Sequence, residues 1–152
     1  MTAYLRPEDE FGWTIFAEKG YREGIFKADG TQWDYLGVYA GGTRKPVTKE
    51  LLDAGTWGLE LLQRLPGDRN VKLWPSLVRR LLDKAGVELQ QVDHLFFTQI
   101  NRSVIQQVMG ILGVPFERTT CVMDRYGYTG SACVPMALHT AIHEGRVKKA
   151  IW

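Results

Sequence analysis

From Gly86 to Glu144 apolar runs alternate with amphipathic stretches, and this alternation restricts the fold more than any other feature of the chain. Val92–Gln99 (VDHLFFTQ) is an apolar run of strand length. Arg102–Leu112 (RSVIQQVMGIL) sets Val104, Ile105, Val108, Ile111 and Leu112 on one helical face. Thr119–Asp124 reads as a second strand, Gly127–Gly130 as a turn, and Ser131–Glu144 as a second helix closed by Gly145. Strands that are apolar along their length are buried on both faces, so this strand–helix–strand–helix series predicts parallel strands covered by helices and joined by right-handed crossovers, an α/β architecture. Ligands in such sheets bind at strand ends, here residues 98–101 and 124–129.

Upstream the pattern is mixed. Gly12–Ala17 and Gly24–Gly30 are β-prone runs bounded by glycine and charge, with an extended piece at Trp33–Tyr39. Ala40–Lys49 (AGGTRKPVTK) has the glycine and proline of a loop. Leu51–Leu65 is leucine-rich, but Gly55 and Gly58 each cost a helix about 1 kcal/mol relative to alanine, so a broken or partial helix is expected, ended by Pro66-Gly67-Asp68. Leu73, Leu77, Val78, Leu81 and Leu82 share a face opposite Arg79, Arg80, Asp83 and Lys84, which predicts an amphipathic helix terminated by Gly86. Pro75 fits its first turn, or kinks a longer helix that starts near Asn70.

Composition narrows the function classes. Nineteen basic and 17 acidic side chains are interspersed along 152 residues, a formal charge of +2, which is not the footprint of a nucleic-acid binder. No apolar run approaches the ~18 residues of a membrane span and the first residues lack a signal-peptide pattern, so a cytoplasmic protein with no membrane partner is expected. Cys121 and Cys133 are too few for a disulfide framework and read as reduced, inert core thiols, Cys121 in a strand and Cys133 inside a helix, away from any group that would lower a thiol pKa. His139 and His143, at i and i+4, lack a third ligand and read as a solvated face rather than a metal site. His94, beside Asp93 at a strand start, is expected at the surface. Gly41-Gly42-Thr43-Arg44-Lys45 lacks the spacing of a phosphate loop and reads as a plain turn.

The stretch VDHLFFTQINRSVIQQVMGILGVPFERTTCVMDRYGYTGSACVP, residues 92–135, resembles the C-terminal half of β-ketoacyl-acyl-carrier-protein synthase III, in the thiolase-like superfamily. The shared residues are Gln99, Asn101, Asp124, Arg125, Gly127, Thr129 and Pro135, in one register. Where that family's first strand ends His-Gln-Ala-Asn and its second leads into Gly-Asn-Thr, this chain has Thr98 and Tyr128 in place of the histidine and asparagine.

The resemblance implies an incomplete thiolase-like fold, part of an αβαβα layering with a mixed sheet. Residues 1–88 would be the end of the first half with a connecting loop and helix, and 89–152 the start of the second half without its final strands. It implies acyl transfer from a coenzyme A or carrier-protein thioester, with no cofactor beyond the acyl-coenzyme A substrate. The nucleophilic cysteine would come from the remaining half of the enzyme, so that this chain alone would be inactive, and a homo- or heterodimer is expected. Thr98 and Tyr128 would hold the catalytic positions, with Gln99, Asn101, Arg102, Gly127 and Thr129 around the substrate. The helix used by the family for carrier-protein docking offers Arg102 but is otherwise neutral, with Gln106, Gln107, Met109 and Gly110. Three functions remain open: non-decarboxylative acyl transfer or transfer to an unusual acceptor, decarboxylating fatty-acid initiation with an altered oxyanion hole, and a non-catalytic partner subunit.

Overall fold

The structure is a computed structural model that describes residues 3–6, 12–17 and 20–147, with side chains from 21 to 147. In chain order the strands and helices are β1 (Ala3–Arg6), β2 (Gly12–Ala17), β3 (Gly20–Phe26), β4 (Leu36–Val38), α1 (Lys49–Asp53), β5 (Leu59–Leu61), α2 (Arg69–Ala85), β6 (Val92–Leu95), α3 (Arg102–Leu112), α4 (Met123–Tyr126) and α5 (Cys133–His143). The chain forms two compact units, residues 29–67 and the remainder.

In the larger unit four strands lie in the order β3-β2-β1-β6. β1 and β2, and β2 and β3, pair antiparallel, while β1 pairs parallel to β6, so the sheet is mixed, as the resemblance implies. β1 is a strand that the sequence pattern does not reveal; β2 has the expected limits, and β3 begins before Gly24 and stops at Phe26.

The segment that starts with β6 explains its own apolar sequence. Leu95 and Phe97 pack with Trp74, Leu77, Leu81, Ile105, Val108 and Met109 of α2 and α3, whereas Phe96 packs with Val122, Cys133, Val134, Ala137 and Ala141 on the α5 side. Successive side chains of extended backbone point to opposite faces, so three consecutive apolar residues feed two cores. Trp74 and Phe97 stack with centroids 5.2 Å apart.

α2 starts at Arg69 and carries Pro75 within it, the longer of the two helices that the sequence allows. Gly86 ends it at φ 60°, and Gly113 ends α3 at φ 70°, left-handed conformations in which a Cβ is strained. The end of α2 is tied to β3: Lys84 Nζ lies 3.0 Å from Glu23 Oε1 and donates to the Gly24 carbonyl at 3.1 Å. α3 has the expected limits, with one exchange on its face. Met109 is buried and Ile111, expected inward, is 46% exposed, because the buried stripe runs 104, 105, 108, 109, 112.

Other expectations are met only in part or not at all. The strand expected over Val92–Gln99 ends at Leu95, and Thr119–Asp124 is not a strand: it keeps one parallel bridge, Leu95↔Thr119, then turns into α4. In the smaller unit the partial helix expected over Leu51–Leu65 is α1 alone, capped by Thr48, and the chain then forms β5, antiparallel to β4. Two glycines after a leucine run shorten the helix, and alternation at Leu59 and Leu61 suits a strand. Trp33–Tyr39 is extended only at β4, after a 3-10 turn at Gly30–Gln32, and the loop at 40–49 closes on itself through Gly41 N–H to the Lys45 carbonyl at 2.9 Å.

Two substitutions check where the core lies. Leu81→Ala, at a fully buried position, is expected to cost about 2–5 kcal/mol in chemical denaturation, and Ile111→Ala no more than about 0.5 kcal/mol.

Candidate functional site

The strand end after β6 and the segment leading to α4 meet through a buried polar junction. Gln99 is fully buried and its side-chain amide is saturated: Nε2 donates to the Phe97 carbonyl at 2.9 Å and to the Thr120 carbonyl at 3.2 Å, and Oε1 accepts from Val122 N–H at 2.8 Å. The three backbone partners fix which end of the amide is oxygen, since the opposite orientation sets N–H against N–H and oxygen against two carbonyls. Thr119 Oγ1 donates to the Leu95 carbonyl at 2.7 Å, and His94 Nε2 and Thr120 Oγ1 share a hydrogen bond at 2.8 Å.

His94 is therefore not at the surface: it is 1% exposed, against the ring of Phe96 at 4.7 Å. The alternation that turns Asp93 outward turns His94 in, and Thr120 supplies the polar partner that makes burial tolerable. Burial, with Arg146 and Arg118 adding positive charge nearby, lowers its pKa to about 4.

The candidate site residues have diverse settings. Thr98 is half-buried, and its hydroxyl has no hydrogen-bond partner among the described residues. Asn101 uses its side chain at the start of α3, where Oδ1 accepts from Ser103 N–H at 3.0 Å, Ser103 Oγ at 2.8 Å and Val104 N–H at 3.4 Å. Gly127 turns the chain at φ 67°, Tyr128 is next at 46% exposure, and Thr129 Oγ1 lies 3.4 Å from Met136 Sδ. Of the residues expected around substrate, Gln99 and Asn101 thus direct their side chains to backbone.

Arg102 stands apart, over the ring of Phe116 at 5.4 Å. It lines a polar cavity of about 250 Å³ with Phe116, Glu117, Thr119, Cys121, Asp124, Arg125 and Arg146, which neither Thr98 nor Tyr128 lines. Its charges offset one another: Glu144 binds Arg125 Nη2 at 3.0 Å and Arg146 Nε at 2.8 Å, which lowers the carboxyl pKa.

The thiols differ from expectation in place. Cys121 is half-buried on this cavity, outside any strand, and Cys133 is the first residue of α5 rather than in its interior. Burial raises both pKa values, for Cys121 against the pull of Arg102 and Arg146, and for Cys133 against backbone N–H groups at Gln99, Val134 and its own position. Both thiols are therefore less acidic than a free cysteine. The His139 and His143 ring centroids are 5.4 Å apart, and among the described residues no three His, Cys, Asp or Glu side chains gather to hold a metal. No helix among them is long and apolar enough to cross a membrane.

A mixed sheet whose apolar segment lies between helices is an α/β architecture. Residues 82–150 match the family described as 3-oxoacyl-[acyl-carrier-protein] synthase III, C terminal. The chain is 32% identical over 145 residues to the β-ketoacyl-[acyl-carrier-protein] synthase III of Roseiflexus castenholzii, covering 95% of itself and 42% of that protein. It is 33% identical over 117 residues to the 3-oxopimeloyl-[acyl-carrier-protein] synthase of Rhodothermus marinus, covering 76% of itself and 34% of that protein. Among solved structures, the synthase III of Thermus thermophilus superposes with a TM-score of 0.65 at 25% identity, over 85% of this chain and 39% of that one. Residues 82–150 form a synthase III-like, thiolase-like C-terminal region, and the chain spans less than half the length of these relatives.

The His94 environment has a measurable consequence. Between pH 6.5 and about 4 the unfolded chain binds a proton that the folded chain refuses at His94, so this group is expected to lower stability by up to about 3 kcal/mol as pH drops through the window, its own contribution levelling off below it. Denaturation midpoints across this range measure the loss, and His94→Asn is expected to remove most of the slope.

Proposed function

We propose that the protein to which this chain belongs transfers acyl groups from coenzyme A or carrier-protein thioesters in the manner of synthase III, with Thr98 and Tyr128 at the positions where the family has histidine and asparagine. The observation that carries this reading is the family match over residues 82–150, a span that includes Thr98 at the strand end and Tyr128 in the loop after Gly127. The nucleophile comes from the part of a synthase III that this chain does not span, since Cys121 and Cys133 both have raised pKa values. Its thiolate attacks the thioester carbonyl, coenzyme A leaves as thiolate, and the acyl group passes to an acceptor.

Decarboxylation of a malonyl thioester builds charge on an enolate oxygen, and a preorganised hydrogen-bond donor there is worth about a hundred- to a thousandfold in rate. A threonine hydroxyl has neither the reach nor the rigidity of an imidazole, and a phenol ends further from the backbone than an asparagine amide. Acyl transfer without decarboxylation, or to an unusual acceptor, is therefore favoured over fatty-acid initiation. Such a reaction needs no decarboxylation enolate.

The test uses the full-length protein with its nucleophilic cysteine. Acyl-coenzyme A is expected to acylate it, with little release of carbon dioxide from malonyl thioester. Thr98→His together with Tyr128→Asn is expected to raise that release by about a hundredfold or more. Release in the unmodified protein as fast as acylation would instead support an initiation synthase, and failure to acylate would support a non-catalytic subunit.

A further inference from the structure

We infer that Gln99 is a positioning residue: its side-chain amide stands in for a strand backbone and holds the Val122–Tyr128 segment in register with Thr98. The inference deepens the proposed function, because it concerns the alignment of the two segments that carry Thr98 and Tyr128, but its test does not depend on acyl transfer.

Among the described residues a single bridge joins the two segments. Leu95 and Thr119 are its parallel partners, so continued pairing would set Phe97 opposite Cys121. In a parallel ladder one residue donates to the carbonyl before its opposite residue and accepts from the N–H after it. The groups flanking Cys121 are the Thr120 carbonyl and the Val122 N–H, and both are bonded to the Gln99 amide, at 3.2 and 2.8 Å. The amide thus makes the two bonds that a strand residue opposite Cys121 would make. Its remaining N–H returns to the Phe97 carbonyl at 2.9 Å, the residue whose place in the ladder it has taken.

This substitution accounts for the two failed strand expectations together. Backbone pairing stops after Leu95 on one side and Thr119 on the other, yet no buried polar atom of Gln99 is unpaired, because the side chain completes the ladder. A strand continued by its own backbone would carry both segments on in parallel. A strand continued by a side chain frees the backbone at Thr98 to turn towards Asn101 and α3, and frees the chain after Val122, the residue before α4, to turn towards Gly127. Asparagine is one methylene short of this reach, glutamate cannot donate to two carbonyls, and methionine has the length but no bonds.

Amide hydrogen exchange on the chain tests this, with Gln99→Met and Thr119→Val compared. Both variants remove buried hydrogen bonds from the same junction, but only Gln99 bonds beyond Thr119. Gln99→Met is expected to speed exchange at Val122–Tyr128 about tenfold or more relative to α2 and α3 amides, and Thr119→Val to leave that ratio unchanged. Uniform acceleration in Gln99→Met would reduce Gln99 to a core residue and overturn the inference. Should Gln99→Met not fold, the unmodified protein decides. The Gln99 side-chain NH2 is then expected to exchange as slowly as the Val122 amide, at least about tenfold slower than that of exposed Gln106, and parity with Gln106 overturns it.

Discussion

The amide of Gln99 is the interaction that holds the candidate site together. Parallel pairing between the segments after β6 and before α4 lapses after a single bridge, and its place is taken by one side chain with three backbone bonds and no exposure. A buried backbone N–H or carbonyl without a partner costs about 1–3 kcal/mol, so the groups at Phe97, Thr120 and Val122 would be a liability without it. The neighbouring bonds of Thr119 and of His94 with Thr120 extend the same logic along the junction. A polar seam therefore runs between two apolar cores, one under α2 and α3 and one under α5.

Around this seam two polar residues hold the framework. Gln99 and Asn101 are near neighbours in the chain and both serve backbone, one in the junction and one at the start of α3. Thr98, between the buried Phe97 and Gln99, keeps an unengaged hydroxyl among the described residues. In the proposed reading the framework residues are those the chain shares with synthase III, while the two departures, Thr98 and Tyr128, fall where chemistry would occur. That division is what a changed reaction on a retained scaffold requires.

Much of the scaffold is legible in the sequence, and the exceptions have physical causes. α3 and β2 have the limits their patterns indicate, and Gly86 ends α2 in the left-handed conformation that glycine favours. Periodicity fails where a side chain replaces backbone: an apolar run at Thr119–Asp124 and a buried run through Gln99 both look like strand, because burial sets the pattern whether or not a ladder is present. For His94, the charge at Asp93 suggests a surface, whereas the partner that permits its burial, Thr120, is 26 residues away. The exposure of Ile111 reflects an α-helical stripe that favours Met109. For the site, the resemblance picks out Thr98 and Tyr128, but residue type alone does not distinguish an amide that binds ligand from one that binds backbone.

Whether the strand end and the loop face one acyl-thioester site is decided by a crystal structure of the full-length protein with a non-hydrolysable acyl-coenzyme A analogue. The thioester carbonyl is expected within hydrogen-bond reach of Thr98 Oγ1 or Tyr128 Oη, with the Gln99 amide still spanning Thr120 and Val122. An analogue bound elsewhere, with Thr98 and Tyr128 both out of reach of its carbonyl, would refute the proposed site.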